Sequence, residues 1–205
     1  MRVLVACEYS GVVRDAFIAK GHDAMSCDLL PTDVPGPHYQ GDVFDIIDNA
    51  RWSPGRPSRF PEWDLLIAHP PCTHLAVSGA RHFAAKRESG VQQEALEFVR
   101  RLLDAPIGRI ALENPVSIIS SKIRKPDQIV QPWWFGHPET KSTCLWLKNL
   151  PPLTETNNVE EHMLTLPKSE RNRIHYASPG PGRWKLRSTT YTGLAAAMAE
   201  QWGNL

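Results

Sequence analysis

The chain has no long apolar run, no excess of either charge and no paired cysteines, and each absence removes a class of function. No stretch approaches the roughly 20 apolar residues that span a bilayer, so no membrane role is expected. The 23 Lys and Arg are matched by 22 Asp and Glu, so any nucleic-acid surface has to be a local patch. The four cysteines, Cys7, Cys27, Cys72 and Cys144, stand far apart, with no Cys-x-x-Cys and no Cys/His spacing of the zinc type. No metal is expected. Reduced thiols and the lack of a signal-peptide pattern point to a cytoplasmic protein. A Gly-x-Gly-x-x-Gly turn is missing too, which leaves a dinucleotide pyrophosphate poorly served. Proline (18) and tryptophan (7) are plentiful instead and predict long ordered loops, because tryptophan is scarce in disordered segments. There is no internal repeat, and 205 residues suit one domain over 1–205.

The stretch around which the rest is organised runs from Asp64 to His74, DLLIAHPPCTH. Leu65–Ala68 reads as a short buried strand of a parallel sheet. Pro70 and Pro71 stop it and stiffen the loop. Cys72 is then presented at the carboxyl edge of the sheet, where open α/β folds bind ligands. A small buried cysteine is the commoner reading of an arbitrary one. The neighbouring segments decide between the two.

Before that stretch, Arg2–Ala6 predicts a strand, Cys7-Glu8-Tyr9-Ser10-Gly11 a tight turn, and Val12–Lys20 an amphipathic helix closed by Gly21. Ala24–Cys27 predicts a second strand ending at Asp28. Strand, turn, helix, strand and acid form the first half of a doubly wound α/β sheet. A carboxylate at Asp28 suits ribose hydroxyls, or equally caps the next turn. Pro31–Gln40 reads as a loop. Asp42 either meets an adenine amino group or caps a helix over Val43–Ile47, the cap being favoured on local grounds. Asn49–Glu62 reads as a surface loop with Arg51, Arg56 and Arg59.

Beyond it, Thr73–Lys86 carries His74, Arg81 and His82 and suits a mobile loop over a site. Val91–Leu103 has a helical pattern. Arg109–Leu112 predicts a strand ending in Glu113-Asn114-Pro115, with Glu113 partly buried and its pKa raised. The aromatic run Gln131–Gly136 favours core packing over a base-stacking platform. Thr143–Leu147 predicts a strand, Thr154–Pro167 a loop, and Thr192–Trp202 a helix capped by Thr192.

A cysteine and a glutamate delivered to one sheet edge, about forty residues apart, suit a particular reaction. A thiolate adding to carbon 6 of a pyrimidine makes carbon 5 nucleophilic, and a carboxylic acid at nitrogen 3 of cytosine stabilises the charge. The segments that carry this chemistry resemble the cytosine-5 DNA methyltransferase family, whose short phage- or prophage-associated members lack a target-recognition domain. Pro70-Pro71-Cys72 resembles its nucleophile loop and Glu113-Asn114-Pro115 its Glu-Asn-Val element. Gly41-Asp42-Val43 resembles the acidic turn at the adenine, and Arg171-Asn172-Arg173 the Arg-x-Arg strand that holds the base. Arg187–Tyr191 resembles the segment that returns to the cofactor.

The resemblance implies a doubly wound Rossmann-like methyltransferase fold with a mostly parallel central sheet, and S-adenosylmethionine as cofactor. It implies catalytic roles for Cys72, Glu113 and Arg173. Cofactor contacts are implied at Ala6, Cys7, Glu8, Tyr9, Ser10, Gly11, Asp28, Leu29, Asp42, Val43, Pro70 and Thr190. Pro71, Asn114 and Arg171 would meet the substrate. Two departures stand out. The family's first turn is Phe-x-Gly-x-Gly-Gly, where this chain has a single glycine; Glu8 would hold water near the methionine ammonium. And Arg173 and Arg187 stand only fourteen positions apart, which leaves no module to read a major groove. DNA is the expected substrate, with single-stranded DNA or a free pyrimidine nucleotide as alternatives. The basic stretches Arg51–Arg59, Arg81–Arg87, Lys122–Lys125 and Lys168–Arg173 would line one edge. A second copy or a partner subunit would complete recognition. The competing readings are another carbon-5 pyrimidine modification and a non-catalytic DNA-binding protein.

Overall fold

Alternate residues of each central strand face opposite sides of the sheet, and here both sides are apolar. The computed structural model describes residues 1–49 and 60–205. Among these residues one sheet holds seven strands: β1 (Arg2–Ala6), β2 (Asp23–Asp28), β3 (His38–Gln40), β4 (Leu65–Ala68), β5 (Arg109–Pro115), β6 (Gln128–Val130) and β7 (Thr143–Lys148). Their order is β3-β2-β1-β4-β5-β7-β6. Strands β3, β2, β1, β4 and β5 are mutually parallel, while β7 runs antiparallel to both β5 and β6. The expected doubly wound, mostly parallel α/β fold is therefore present. The chain reverses its direction of winding between β1 and β4, which opens a crevice at their carboxyl ends.

The helices are α1 (Val12–Ala19), α2 (Val43–Ile47), α3 (Phe83–Glu88), α4 (Val91–Leu103), α5 (Ile119–Lys122), α6 (Glu160–Thr165), α7 (Lys168–Arg171), α8 (Arg173–Tyr176), α9 (Arg183–Ser188) and α10 (Thr192–Trp202). On one face Leu4, Ala6, Leu66, Ala68, Ile110 and Leu112 meet Ile46 and Ile47 of α2 and Leu96, Val99 and Leu102 of α4. On the other, Val3, Val5, Leu65, Ile67 and Ala111 meet Val13 and Phe17 of α1 and Leu194, Met198 and Trp202 of α10. The period of two along the strands sends successive residues to the two layers. None of these helices is long and apolar enough to cross a membrane.

The structure departs from the sequence expectations at several places. His38–Gln40, expected in a loop, pairs with Ser26–Asp28 as β3. Strand β5 runs on to Pro115 because Glu113, Asn114 and Pro115 pair with Leu145, Cys144 and Thr143, so Glu113 lies inside the strand rather than at its end. The expected loop Thr73–Lys86 holds a 3-10 helix over Val77–His82 and most of α3. The expected loop Thr154–Pro167 holds α6. Arg171-Asn172-Arg173, expected as a strand, is the junction of α7 and α8, and no strand among the described residues pairs with it. Thr192 is the first residue of α10 and Tyr191 its cap position. The arginines expected in the loop at 51, 56 and 59 lie outside the described residues.

Candidate active site

The nucleophile loop leaves β4 under restraint from three neighbours. His69 N donates to Ala6 O at 2.9 Å. The Asn114 amide, buried at the end of β5, donates to Pro70 O at 2.8 Å. Leu75 N and Ala76 N both donate to Cys72 O, so the turn folds back on the cysteine's own carbonyl. Val77 N donates to Val116 O, and Ala76 bridges Ser117, tying the loop to the chain after β5. Lys86 Nζ reaches Thr73 O at 2.5 Å and Gln92 Nε2 reaches His74 O at 3.1 Å. The loop expected to be mobile is stitched at each end. Asn114, expected to meet substrate, holds the backbone of Pro70.

Adjacent parallel strands bring the two expected chemical groups to one edge: Ala68 is opposite Leu112, so Cys72 and Glu113 both follow the carboxyl ends of that pair. Cys72 is exposed, whereas Cys27 and Cys144 are buried and Cys7 is partly so. Desolvation by the surrounding chain and the nearby Glu113 charge push the Cys72 thiol up, against the opposing pull of its own backbone N–H, Lys141 and Arg187. At rest the sulfur therefore carries its proton at neutral pH.

Glu113 is buried, and its Oε2 lies 2.9 Å from His69 Nδ1. Burial pulls its carboxyl upward, but the His69 hydrogen bond, the His69 charge and Lys141 outweigh it and hold the group below its ordinary value. The raised pKa expected from burial is thus reversed by a partner that burial alone does not reveal. His69 was in plain view before Pro70 but had no assigned role. Lys141 carries no local sequence signal at all; its proximity depends on β7 running antiparallel beside β5. Lys141 Nζ donates to Arg187 O at 3.0 Å and lies 5.6 Å from the Tyr191 ring centre.

Arg173 sits elsewhere in this network. Its guanidinium donates to Glu139 Oε1 at 2.8 Å, and Tyr191 OH donates to Glu139 Oε2 at 2.9 Å. Arg171 offers its carbonyl to Thr140 N at 2.7 Å. The cations whose fields reach Cys72 are Lys141 and Arg187.

The first turn lies beside this edge, at the end of β1. Cys7 has φ +59 and Gly11 φ +76. A Cβ at Gly11 would come within 2.5 Å of Arg14 Nη2. Arg14 is fully buried and reaches Ser26 Oγ, Thr32 Oγ1 and the carbonyls of Val34 and Pro35, which fixes the loop after β2. Glu8 is buried as well; its carboxylate accepts Val13 N at 2.6 Å and Arg14 N at 3.2 Å, with Ser10 Oγ at 3.3 Å. It therefore caps α1 from within the protein rather than facing a cofactor ammonium. The amide donors that would cradle a phosphate at that helix start are occupied.

Asp28 accepts Leu30 N through Oδ1, and Leu29 beside it is 74% exposed. Asp42 accepts Phe44 N at 2.9 Å and caps α2, as local pattern favoured. Burial first, then the Asp28 charge, pushes the Cys7 thiol up and the Cys27 thiol to about 12. Helix α9 closes over the turn: Tyr9 OH and Ser188 Oγ share a 2.9 Å bond, the Tyr9 and Trp184 rings lie 5.3 Å apart, and Lys185 Nζ donates to Asp33 at 2.7 Å. Thr190, just beyond, is buried.

The expected basic stretches divide between edges. Arg81–Arg87 borders the nucleophile loop through Lys86, and Lys168–Arg173 meets the chain entering β7. Lys122–Lys125 does not join them. Arg124 donates to Leu147 O and Asp127 near the amino ends of the parallel strands, because the antiparallel β7 sets Lys148 opposite Ile110.

No protein-family model matches the sequence, and neither does any curated protein sequence. Among solved structures, the chain is similar to a presumptive DNA modification methyltransferase encoded within a prophage of E. coli, at 14% identity and a TM-score of 0.47. The match covers 82% of this chain and 56% of that one, so this chain spans little more than half of that protein's length. A likeness at that level leaves the chemistry to be argued from the residues themselves.

Proposed function

We propose that the chain is an S-adenosylmethionine-dependent methyltransferase acting on carbon 5 of cytosine in DNA, with Cys72 as nucleophile and Glu113 as the acid at ring nitrogen 3. The observation that carries this reading is the delivery of an exposed thiol and a buried, hydrogen-bonded carboxylate by neighbouring parallel strands to one sheet edge. A thiol beside an anionic carboxylate is a poor resting nucleophile and becomes a good one when its proton has somewhere to go. Cytosine supplies that place at nitrogen 3. Cys72 adds to carbon 6, Glu113 stabilises the charge at nitrogen 3, and carbon 5 becomes nucleophilic. After carbon 5 takes the methyl group its proton passes to water, the C5–H pair re-forms the C5–C6 double bond, the sulfur leaves with the Sγ–C6 pair, and the nitrogen 3 proton returns through Glu113 to the thiolate.

Three features support S-adenosylmethionine over a dinucleotide. The start of α1 is capped by Glu8, so no phosphate cradle is open there. The side chains of Asp28, the last residue of β2, and Asp42, just after β3, each accept one hydrogen bond, and a carboxylate can accept about four. Among the described residues neither forms a salt bridge. Cofactor contacts are assigned to Ala6, Cys7, Tyr9, Ser10 and Gly11, with Glu8 acting only through its cap of α1, to Asp28 and Leu29, to Asp42 and Val43, and to Pro70 and Thr190. When bound, the cofactor supplies an electrophilic methyl group. Lys141 and Arg187 join the site as cations beside the thiol, and the chain forms one methyltransferase-like domain without a separate target-recognition region. The substrate is cytosine in DNA, with single-stranded DNA or a free nucleotide as the alternatives, because only fourteen positions separate Arg173 and Arg187 and leave little room between them to grip and read a duplex.

The test is nucleoside mass spectrometry after incubation with labelled cofactor and single-stranded DNA, duplex DNA or dCMP in parallel. Labelled 5-methylcytosine is expected in at least one arm, with loss of about 10³-fold or more in Cys72→Ser. A Cys72→Ser variant as fast as the wild type would sink the thiol mechanism. No product in any arm would sink the methyltransferase reading.

A further inference from the structure

Among the described residues two buried imidazole nitrogens of the nucleophile loop, His69 Nε2 and His74 Nδ1, have no hydrogen-bond partner, and the first belongs to the ring that meets Glu113. His69 Nδ1 lies 2.9 Å from Glu113 Oε2, while His69 Nε2 is buried and makes no hydrogen bond. The two side chains are only 9% and 10% exposed. With no partner at Nε2, the contact at Nδ1 is the ring's one side-chain hydrogen bond among the described residues, and with a proton on Nδ1 it donates directly to the carboxylate. The remaining groups that face the pair are Lys141 entering β7, Cys144 within it and Cys72 on the same loop as His69; Arg187, after the start of α9, faces Cys72.

We propose that His69 is a positioning residue: its imidazole, protonated at Nδ1, holds Glu113 Oε2, keeps Glu113 a carboxylate at rest and leaves Oε1 for the substrate, so that the proton reaching the pyrimidine comes from the Cys72 thiol. The substrate step rests on the cytosine reading above; the resting state does not. The bookkeeping is closed. The Sγ–H bond breaks and its proton passes to Glu113 Oε1. The sulfur pair forms Sγ–C6, the C5–C6 π pair moves to C4–C5, and the C4–N3 π pair takes the proton from Oε1 at nitrogen 3. Glu113 ends as it began, a carboxylate held by His69, and nothing is oxidised or reduced. A carboxylate fixed at one oxygen cannot rotate away from the incoming ring, which is the entropic advantage of the pairing.

Three measurements on the full chain test this, and the first two need no catalysis. Imidazole nitrogen shifts of the wild type are expected to show a proton on His69 Nδ1; a ring bare at Nδ1 overturns the proposal. The Cys72 peptide, followed by mass spectrometry, is expected to alkylate slowly at pH 7 and faster with each pH step towards 9; rapid, pH-independent alkylation at neutral pH overturns the thiol as proton source. Carbon-13 titration of the Glu113 carboxyl, identified by its loss in Glu113→Gln, is expected to rise by one pH unit or more in His69→Leu. His69→Asn, whose amide stands where Nδ1 was, should return most of that shift, and its titration remains decisive if His69→Leu does not fold. A Glu113 titration as high in His69→Asn as one pH unit above wild type overturns the pairing. If the wild type methylates no cytosine in any form, the function fails while these readouts still decide the His69–Glu113 arrangement.

Discussion

Glu8 shows how one buried side chain can take up the donors of a helix start. Just after β1, it accepts the second and third amides of α1. Glu8→Ala is expected to lower stability by about 1–2 kcal/mol, read as an earlier urea midpoint with unchanged slope. Glu113 illustrates the opposite case, a buried acid kept charged by a donor. Its folded-state pKa lies below the ordinary carboxylate value of 4.5, so the unfolded chain binds more protons in that range. Its contribution is complete above pH 4.5 and is lost as pH falls through the lower, folded value. Glu113→Gln should therefore flatten the acid limb of a urea-midpoint profile below pH 4.5; an unchanged limb would mean that His69 does not hold the charge.

Helix α10 is held at its start by a side chain far away in sequence. Gly193 N donates to His137 Nε2 at 3.1 Å and the Thr192 hydroxyl lies 3.3 Å from the same nitrogen. That nitrogen has to be unprotonated to accept. Burial lowers the His137 pKa below 6.5, against the pull of Glu139. The cap is thus fully present above pH 6.5 and is lost as pH falls through the lower folded value. His137→Gln, which keeps an acceptor but cannot titrate there, is expected to lose less melting temperature than the wild type between pH 7 and 5. The same helix start explains Gly193: a Cβ there would stand 1.9 Å from Phe135 O, a backbone atom that cannot swing aside. Gly193→Ala should cost about 1–3 kcal/mol in thermal or urea unfolding.

Elements whose packing is written in local pattern were legible in the sequence. The central strands are apolar runs, and α4 begins and ends where its periodicity does. The short edge strand β3, with residues His, Tyr and Gln, has no such run and exists through pairing with β2. The same holds for the site. Cys72 and Glu113 could be read from their placement after apolar strands. His69 Nδ1, Lys141 and the Glu8 cap are relations between side chains, and no spacing rule encodes those. The Arg171–Arg173 strand failed for a related reason: a three-residue motif has no periodicity, and here it sits at the joint of two helical turns.

At the scale of the whole molecule, a net charge of +1 makes nucleic-acid binding depend on where cations gather. Lys86, Arg87, Lys141 and Arg187 belong to segments beside Cys72, while Arg124 serves the other end of the sheet. Binding to single-stranded DNA should weaken with salt at a shallow slope, about −2 to −4 in log–log form for some three to five phosphate contacts. Arg87→Ala, on the exposed end of α3, is expected to reduce that slope by somewhat less than one without changing the melting temperature. A slope that stays the same would remove the α3 side from the interface.

Strand β1 lies in the middle of the sheet although it is the first element of the chain described here. Its two neighbours are made at very different times: β2 follows closely, whereas Leu65, the partner of Val3, comes roughly sixty residues later. A ribosome adding about 5–20 residues each second leaves the open side of Val3–Ala6 waiting on the order of 3–12 seconds for β4. Throughout that interval the nascent chain exposes an apolar, unpaired strand edge, the kind of surface that other chains can add to. Yield of active protein should then depend on synthesis rate and on holdase chaperones more than its final stability would suggest, and slower growth temperatures should favour soluble product.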